Sequence, residues 1–535
     1  MAESQLHAHA EFLSLFGDPD CDSDCESSQP TAELKSTPLF SGKVKAKVDE
    51  ADDRANPVFP AYGLLGYCSA IVQHGHLKEM AVSRDSLIYA NMQEPWSAFI
   101  CGQQGAGKSY TMSCILENAL IGGGPMGRNP CPMAGVVFHY DKFTSAHATQ
   151  VCEAVYLSSS DIKVQVLVSP SNYQDMKRLY SNLPGYSREA PKPEVIPLLF
   201  SEKQLNVAHM KTLMAFDSSD ANPPLYMSIL NTILKDMAIK SGTTAGIDYM
   251  RLKAKMYAAG LTPGQMGSLE LRYTLIESFL RETAPKSMMR KDTIDFSPGT
   301  VLIVDLSCPF VTEGDACALF SIFLSIFLNK RSEHGMIVAL DEAHKFLTEV
   351  PQAKAFSEDL VQVIRQQRHL GTRVVVATQE PTISPKLLDL CNVSFVHQFG
   401  SPAWYSILVN HIAALGLLGR DSDEARNKVL KMIVKLKRGE ALVFCPKACL
   451  GFGTGDKIDE ESASVNGKST RNGTEAENES WADCQSRIGE ESNGSSRSQI
   501  DWDEFSPLED AFIKVKIRPK VTADGGKSIV ASLDT

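Results

Sequence analysis

Short runs of uninterrupted apolar residues, rich in Val, Ile and Leu, recur through the middle of the chain. They are Trp96–Cys101, Ala134–Asp141, Val164–Val168, Thr300–Ser307, Gly335–Glu342, Arg373–Gln379, Val393–Phe399 and Ala441–Cys445. A strand with one wet face alternates polar and apolar positions, whereas a strand covered on both faces does not. These runs therefore predict buried strands. Segments of helical period separate them: Tyr110–Leu120, Tyr173–Leu183, Glu313–Lys330, Ala353–Leu370, Pro385–Leu390, Pro402–Leu415 and Ser422–Lys435. Strands alternating with helices predict an α/β fold whose mainly parallel sheet carries helices on both faces.

Other stretches break this rhythm. Between about residues 205 and 285 the period is helical, over Pro224–Ile239, Tyr249–Ala259 and Ser268–Glu282, which predicts a helical insertion in a main body spanning 96–454. Residues 56–95 carry short alternating runs, such as Ser69–Val72 and Ser86–Tyr89, and read as a small β lead-in. Residues 185–200 are Pro-rich and expected to be extended. Residues 1–55 and 455–504 are polar and acidic, and read as a disordered tail and a disordered low-complexity insert. Beyond the insert, Ala511–Arg518 alternates like a half-buried strand with a basic face, so residues 505–535 are expected to return to the body.

Charge sharpens this division. The net charge is −11, but residues 1–55 contribute −7 and residues 455–504 contribute −8, leaving the remainder at +4. The acidic total therefore leaves room for a polyanionic partner, while the acidic segments suit docking to proteins. The longest apolar stretch, Ala316–Leu328, is too short to span a bilayer and reads as a buried helix. The N-terminus lacks the pattern of a secretory signal, and 13 cysteines without a dense framework suit a reducing compartment. The expectation is a soluble intracellular protein, cytoplasmic or nuclear; the basic cluster Lys43–Lys47 is too weak to choose. The pairs Cys21/Cys25 and Cys445/Cys449 have no second pair at zinc-site spacing.

The first apolar run leads into Gly102-Gln103-Gln104-Gly105-Ala106-Gly107-Lys108-Ser109, which fits the phosphate-binding pattern G-x-x-x-x-G-K-[ST]. A strand before it and a helix after it are the context the pattern requires. Glycines let backbone N–H groups approach phosphate oxygens, and the helix start adds its positive dipole end. Lys108 is expected to reach the β- and γ-phosphates and Ser109 to hold Mg²⁺, with Tyr110 completing the nucleotide-binding set. The plainer alternative is a glycine turn with a capping serine.

The run ending in Asp341-Glu342 fits the other half of a nucleotide hydrolase site. Asp341 would hold the metal, and Glu342 would orient and deprotonate the attacking water. As an alternative, the pair caps the next helix. Asp305 also ends a buried run and is a rival metal carboxylate. Asp341 is preferred because it has the adjacent Glu and because the next run ends in Gln379, placed to touch a γ-phosphate. Arg365 and Arg368 lie three apart near the end of one predicted helix. They are either a solvated helix end or the source of an arginine finger for a neighbouring subunit, with Arg368 preferred.

In this order, the loop Gly102–Ser109, Tyr140-Asp141-Lys142, Val301–Ser307, Leu340–Leu347, Arg365–Gly371 and Ala377–Pro385 resemble the HerA–FtsK superfamily of P-loop ATPases, and its HerA-like branch most. The resemblance covers roughly residues 60–450. It implies a RecA-like core binding ATP and Mg²⁺, in a homo-oligomer that is commonly a hexameric ring and moves double-stranded DNA. It implies catalytic roles for Lys108, Glu342 and Gln379, a metal role for Ser109 and Asp341, and an arginine finger from the Arg365–Arg368 region. The short acidic N-terminal segment, the missing membrane anchor and the acidic insert depart from the family pattern. A nucleotide-switched scaffold or signalling ATPase that acts on proteins is the alternative. A GTPase is disfavoured, since no guanine-reading motif follows Asp341.

Overall fold

The computed structural model describes residues 34–51, 57–73, 76–142, 150–160, 162–187, 189–214, 225–286, 288, 294–330, 334–421, 423–451 and 507–523. Most of the N-terminal tail and the whole acidic insert lie outside the described residues. The strands in chain order are β1 Leu39–Ser41, β2 Tyr62–Gln73, β3 His76–Glu79, β4 Leu87–Asn91, β5 Ser97–Cys101, β6 Gly123–Gly124, β7 Gly127–Arg128 and β8 Ala134–His139. They continue with β9 Lys163–Val168, β10 Glu194–Pro197, β11 Thr300–Asp305, β12 Met336–Leu340, β13 Thr372–Thr378, β14 Val393–Val396, β15 Glu440–Phe444 and β16 Phe512–Ile517.

All of them join one sheet, whose main path runs β1-β4-β2-β16-β15-β14-β5-β13-β12-β8-β11-β9-β10. From β14 to β10 every neighbouring pair is parallel, and from β15 to β1 every pair is antiparallel. In the parallel half, β5 lies between β14 and β13, and one strand separates β5 from β12. This is an α/β core built on a mainly parallel sheet, as the alternating runs predict.

The uninterrupted apolar runs are explained by two cores, one on each face of the sheet. Phe99, Val136, Phe138, Leu302, Val304, Val338, Leu340, Val374 and Val376 point to one face, where they meet Phe320, Phe323 and Phe356 from the helices Glu313–Asn329 and Pro351–Arg365. Their chain neighbours Ala98, Ile100, Val137, Val301, Ile303, Ile337, Ala339, Val375 and Ala377 point to the other, against Met112, Ile115, Leu116 and Ala119 of the helix Lys108–Leu120. Successive strand residues face opposite ways, so both parities had to be apolar.

The helix Glu313–Asn329 starts at a capping box made by Thr312 and Asp315 and buries Ala316 to Leu324 except Ser321. Among the described residues, no helix is long and apolar enough to cross a membrane. Between β10 and β11 the chain forms the helices Val207–Met214, Leu225–Ser241, Tyr249–Tyr257 and Pro263–Ser278. They join the first core through Met210, Tyr226, Leu230 and Tyr273, and Arg272 of the last pairs with Asp315 at 2.9 Å. Within the Pro-rich stretch, Glu194–Pro197 pairs with β9.

Three sequence expectations need correction. Residues 34–51, assigned to a disordered tail, contain β1 and the helix Gly42–Ala51. Phe40, Val44 and Val48 recur every four residues and pack with Leu34, Val58 and Phe59 in a small third core. Pro402–Leu415 is two helices, Pro402–His411 and Ala413–Asp421, separated at Ile412, whose φ and ψ are −109° and 109°. The helix expected over Ala353–Leu370 ends at Arg365; Gln366 adopts φ −102° and ψ 10°, and a separate turn, Gln367–Leu370, follows. Arg365 and Arg368 thus stand on different segments, not on one helical face.

Candidate nucleotide site

In the parallel half, every strand points its C-terminal end to the same sheet edge. Residues that follow β5, β8, β11, β12 and β13 therefore gather there, however far apart they lie in sequence. After β5 the loop 102–107 turns sharply into the helix that opens at Lys108. Gly102 has φ 151° and Gly107 φ 111°, a region that side-chain-bearing residues rarely enter. A Cβ on Gly102 would also lie 2.6 Å from the Cβ of His397. Gln103, Gln104 and Gly105 are exposed, Ala106 and Lys108 are buried, and Gly107, Ser109 and Tyr110 are half-buried.

Lys108 folds over this loop, its Nζ donating to the Gln103 carbonyl at 3.2 Å. Burial pushes its ammonium below the ordinary range, against the pull of Glu342 and Asp341. Ser109 Oγ donates to Asp341 Oδ1 at 3.3 Å across 232 residues of sequence. Burial pushes the Asp341 carboxyl above its ordinary range, and Glu342 adds to this while His139 and Lys108 oppose it. A hydroxyl beside a desolvated carboxylate is an oxygen donor set suited to a hard divalent cation.

Glu342 is buried and left-handed, with φ 51° and ψ 45°. It precedes a short turn, Ala343–Lys345, but its side chain caps nothing there. Its Oε2 instead accepts from Gln379 Nε2 at 3.0 Å. The capping alternative for Asp341-Glu342 thus gives way to a cross-strand pair that aims both side chains at the edge beside the loop.

Asp305, the rival carboxylate, is already engaged. It accepts from Tyr180 OH at 2.6 Å and from the Ser307 N–H at 3.0 Å, and lies 3.3 Å from His139 Nδ1. All three side chains, Asp305, His139 and Tyr180, are buried. Burial opposes charge at both members of the His139–Asp305 pair, yet each stabilises the other, so the imidazole is raised and the carboxyl lowered. Asp341 remains the strand-end carboxylate that touches the loop's serine.

Arg365 and Arg368 are exposed and lie before β13, whereas Gln379 follows it. Seven extended residues span about 23 Å. The two arginines therefore occupy the opposite edge of the sheet, and the structure does not bring them to their own loop.

Three residues at the site, His344, Lys345 and His397, were given no role by the sequence. His344 Nδ1 accepts from the Gln379 N–H at 3.4 Å, and burial lowers its imidazole, with Glu342 opposing. Lys345 Nζ meets Asp141 Oδ2 at 3.2 Å. His397 joins the loop's helix to β15, with Nε2 2.9 Å from Thr111 Oγ1 and Nδ1 2.9 Å from the Glu440 carbonyl. A lone His within an apolar run looks like any core histidine.

No protein-family model matches the chain, and no curated protein matches it. Among solved structures, the chain is similar to VirB4 of Thermoanaerobacter pseudethanolicus, with 13% identity over 72% of this chain and 94% of that one and a TM-score of 0.41. It is similar to the genome packaging NTPase B204 from Sulfolobus turreted icosahedral virus 2, with 9% identity over 66% and 92% and a TM-score of 0.27. It is also similar to the pCW3 conjugation coupling protein TcpA, with 10% identity over 74% and 65% and a TM-score of 0.26.

Proposed function

We propose that the chain is a Mg²⁺-dependent ATPase of the HerA–FtsK kind, working as a homo-oligomer that couples hydrolysis to movement of double-stranded DNA. The observation that carries this reading is the 3.3 Å approach of Ser109 to Asp341 at the mouth of the glycine loop. Residues 102–110 hold the nucleotide, with backbone N–H groups on its phosphates and Lys108 on the β- and γ-phosphates. Ser109 and Asp341 hold Mg²⁺, which when bound offsets phosphate charge. Glu342 takes a proton from the attacking water. Gln379, through its bond to Glu342, fixes that carboxylate and senses the γ-phosphate.

Arg368, with Arg365 beside it, completes the site of a neighbouring subunit. Support comes from their exposure and from their place at the sheet edge opposite their own loop. Two subunits packed edge to edge would bring them to the γ-phosphate, where a positive charge stabilises the transition state.

The second reading, a nucleotide-switched scaffold acting on proteins, is favoured by apolar side chains left open on and beside the helical layer: Ile239, Met250, Leu271 and Phe310, each more than 60% exposed. One experiment separates the two. ATP turnover is measured with Mg²⁺ alone and with duplex DNA, single-stranded DNA or RNA, over a range of salt, with Glu342→Gln as the blank. A salt-sensitive rise with duplex DNA supports the motor. Turnover indifferent to all three polymers supports the scaffold, and no turnover above the blank refutes both.

A further inference from the structure

The helix Asp423–Lys435 packs on the first core through Val429 and Ile433, and Leu436 just past its end does the same. Helical spacing puts Lys428, Lys431 and Lys435 on one stripe away from that face, and all three are exposed. Arg426, Lys437 and Arg438, also exposed, flank the stripe. Between residues 424 and 438 these six cations meet a single acidic residue, Glu424, whose Oε1 lies 3.8 Å from Lys428 Nζ. A solvated helix face carries both signs in i,i+4 pairs. Here Lys431, Lys435 and Lys437 have no carboxylate within ion-pair reach among the described residues. The cations of β16, the other basic run, are used inside the fold. Lys514 Nζ lies 3.1 Å from Glu440 Oε2, Lys516 Nζ donates to the Arg438 carbonyl at 2.8 Å, and Arg518 is buried against Glu117.

The basic face stands beside the glycine loop. β15 runs antiparallel to β14, so its start, just after Arg438, lies at the edge where the parallel strands end. Gly439 donates its N–H to the Ala106 carbonyl at 3.3 Å. Gln398, just past β14, makes a second link. Its Nε2 donates to the Val434 carbonyl, in the last turn of the basic helix, at 2.9 Å. Its own carbonyl accepts from the Gln103 N–H at 2.8 Å, and its Oε1 accepts from Gln103 Nε2 at 3.4 Å. The loop is thus bonded, at residues 103 and 106, to both ends of the short stretch Val434–Gly439.

We infer that Lys428, Lys431 and Lys435, with Lys437 and Arg438, form the surface that grips a duplex nucleic-acid backbone, and that Gln398 and Gly439 couple this grip to the glycine loop. The lysine stripe is about 11 Å long at the rise of an α-helix. A duplex carries one phosphate charge per about 1.7 Å of its axis, so several lysines reach phosphates at once. Such contacts position a duplex without reading its bases. An acidic peptide offers no charge spacing so regular. The inference rests on the duplex-DNA part of the proposed function, and adds where the track is held and how its presence is felt at the loop.

Anisotropy of a labelled duplex of mixed sequence, titrated with the full chain over a range of salt, tests the surface. The combined variant Lys431→Gln, Lys435→Gln, Lys437→Gln should weaken binding by about tenfold or more and flatten the slope of log affinity against log salt by about 3, near 0.9 per lost phosphate contact. Arg at the same three positions should keep both. Lys192, Lys211 and Lys235, exposed on other elements, form the matched set, and their combined Gln variant should bind as the wild type does. Gln398→Ala should bind the duplex with the wild-type slope yet lose most of the DNA-driven rise in ATP turnover. Equal loss in both triple variants, or no loss in the first, would overturn the surface and leave the motor reading standing. A full DNA-driven rise in Gln398→Ala would overturn the coupling. Binding of poly-glutamate but not of duplex would put an acidic protein in place of nucleic acid. If the wild-type chain binds no duplex, the DNA part of the proposed function fails with the surface, while turnover above the Glu342→Gln blank keeps the ATPase.

Discussion

Arg518 Nη1 lies 2.7 Å from Glu117 Oε2, both side chains almost wholly out of water, although 401 residues separate them. The guanidinium also donates to the carbonyls of Leu64, Cys114 and Pro519 and to Asn118 Oδ1. One ion pair therefore fastens β2, the phosphate-loop helix and the C-terminal segment together. Arg518→Ala strands a buried carboxylate and should cost about 3–5 kcal/mol, read as a lower urea midpoint. Arg518→Met with Glu117→Gln should recover much of that loss, since no charge is then left uncompensated.

Asp341 and Asp305 end neighbouring buried runs but do different work. Asp341→Asn should lower Mg²⁺-dependent turnover by about 100-fold or more, with little effect on the unfolding midpoint. Asp305→Asn should do the reverse, because it uncouples His139 and Tyr180 inside the core. Turnover and denaturation curves on both variants check this. Loss of turnover confined to Asp305→Asn would make Asp305 the metal carboxylate.

Arg368→Ala should cut turnover of the assembled protein by about a thousandfold while ATP affinity of the isolated subunit stays the same. Mixing Arg368→Ala subunits with Lys108→Ala subunits should restore part of the activity. In such a mixture some intact loops face intact arginines. Absence of any recovery in mixed oligomers would place Arg368 outside the composite site.

His397 gives the stability of the fold a pH dependence. Burial pushes its imidazole down to about 4, with the Glu440 carbonyl partly opposing and Lys108 adding to the effect. Unfolded, the same group titrates near its ordinary value of about 6.5. Between those values the unfolded chain holds more protons than the folded one, so stability falls as pH falls, by on the order of 3 kcal/mol in all. Thermal unfolding between pH 7 and pH 4 should show that slope, and His397→Gln should flatten it.

The parallel half of the sheet was readable in advance because covering both faces leaves a plain signature, as in Val301–Val304 or Val374–Ala377. The meeting of Ser109, Asp341, Glu342 and Gln379 was readable for a related reason: each follows or ends such a run, and parallel strands carry their ends to one edge. The break at Gln366 was not readable. No Gly or Pro marks it; Gln367 Nε2 instead donates to Asn392 Oδ1 at 3.1 Å, and that same oxygen accepts from the N–H of Ser97. Residues 34–51 were hidden by the charge around them. Phe40 finds its stacking partner, Phe59, with ring centres 3.9 Å apart, and no window of local composition registers a pair set so far apart.

The position of β16 between β15 and β2 sets the order in which the protein can be completed. On the ribosome, β2 emerges early and pairs with β4 at once, but waits for roughly 440 further residues before β16, the partner of its other edge, exists. At about 5–20 residues per second, that wait is on the order of 20–90 s. Through that interval β2 presents an uncovered strand edge, joined near its end by one on β15, the kind of surface on which nascent chains misassociate. The join between the two halves of this sheet is therefore the last to be made.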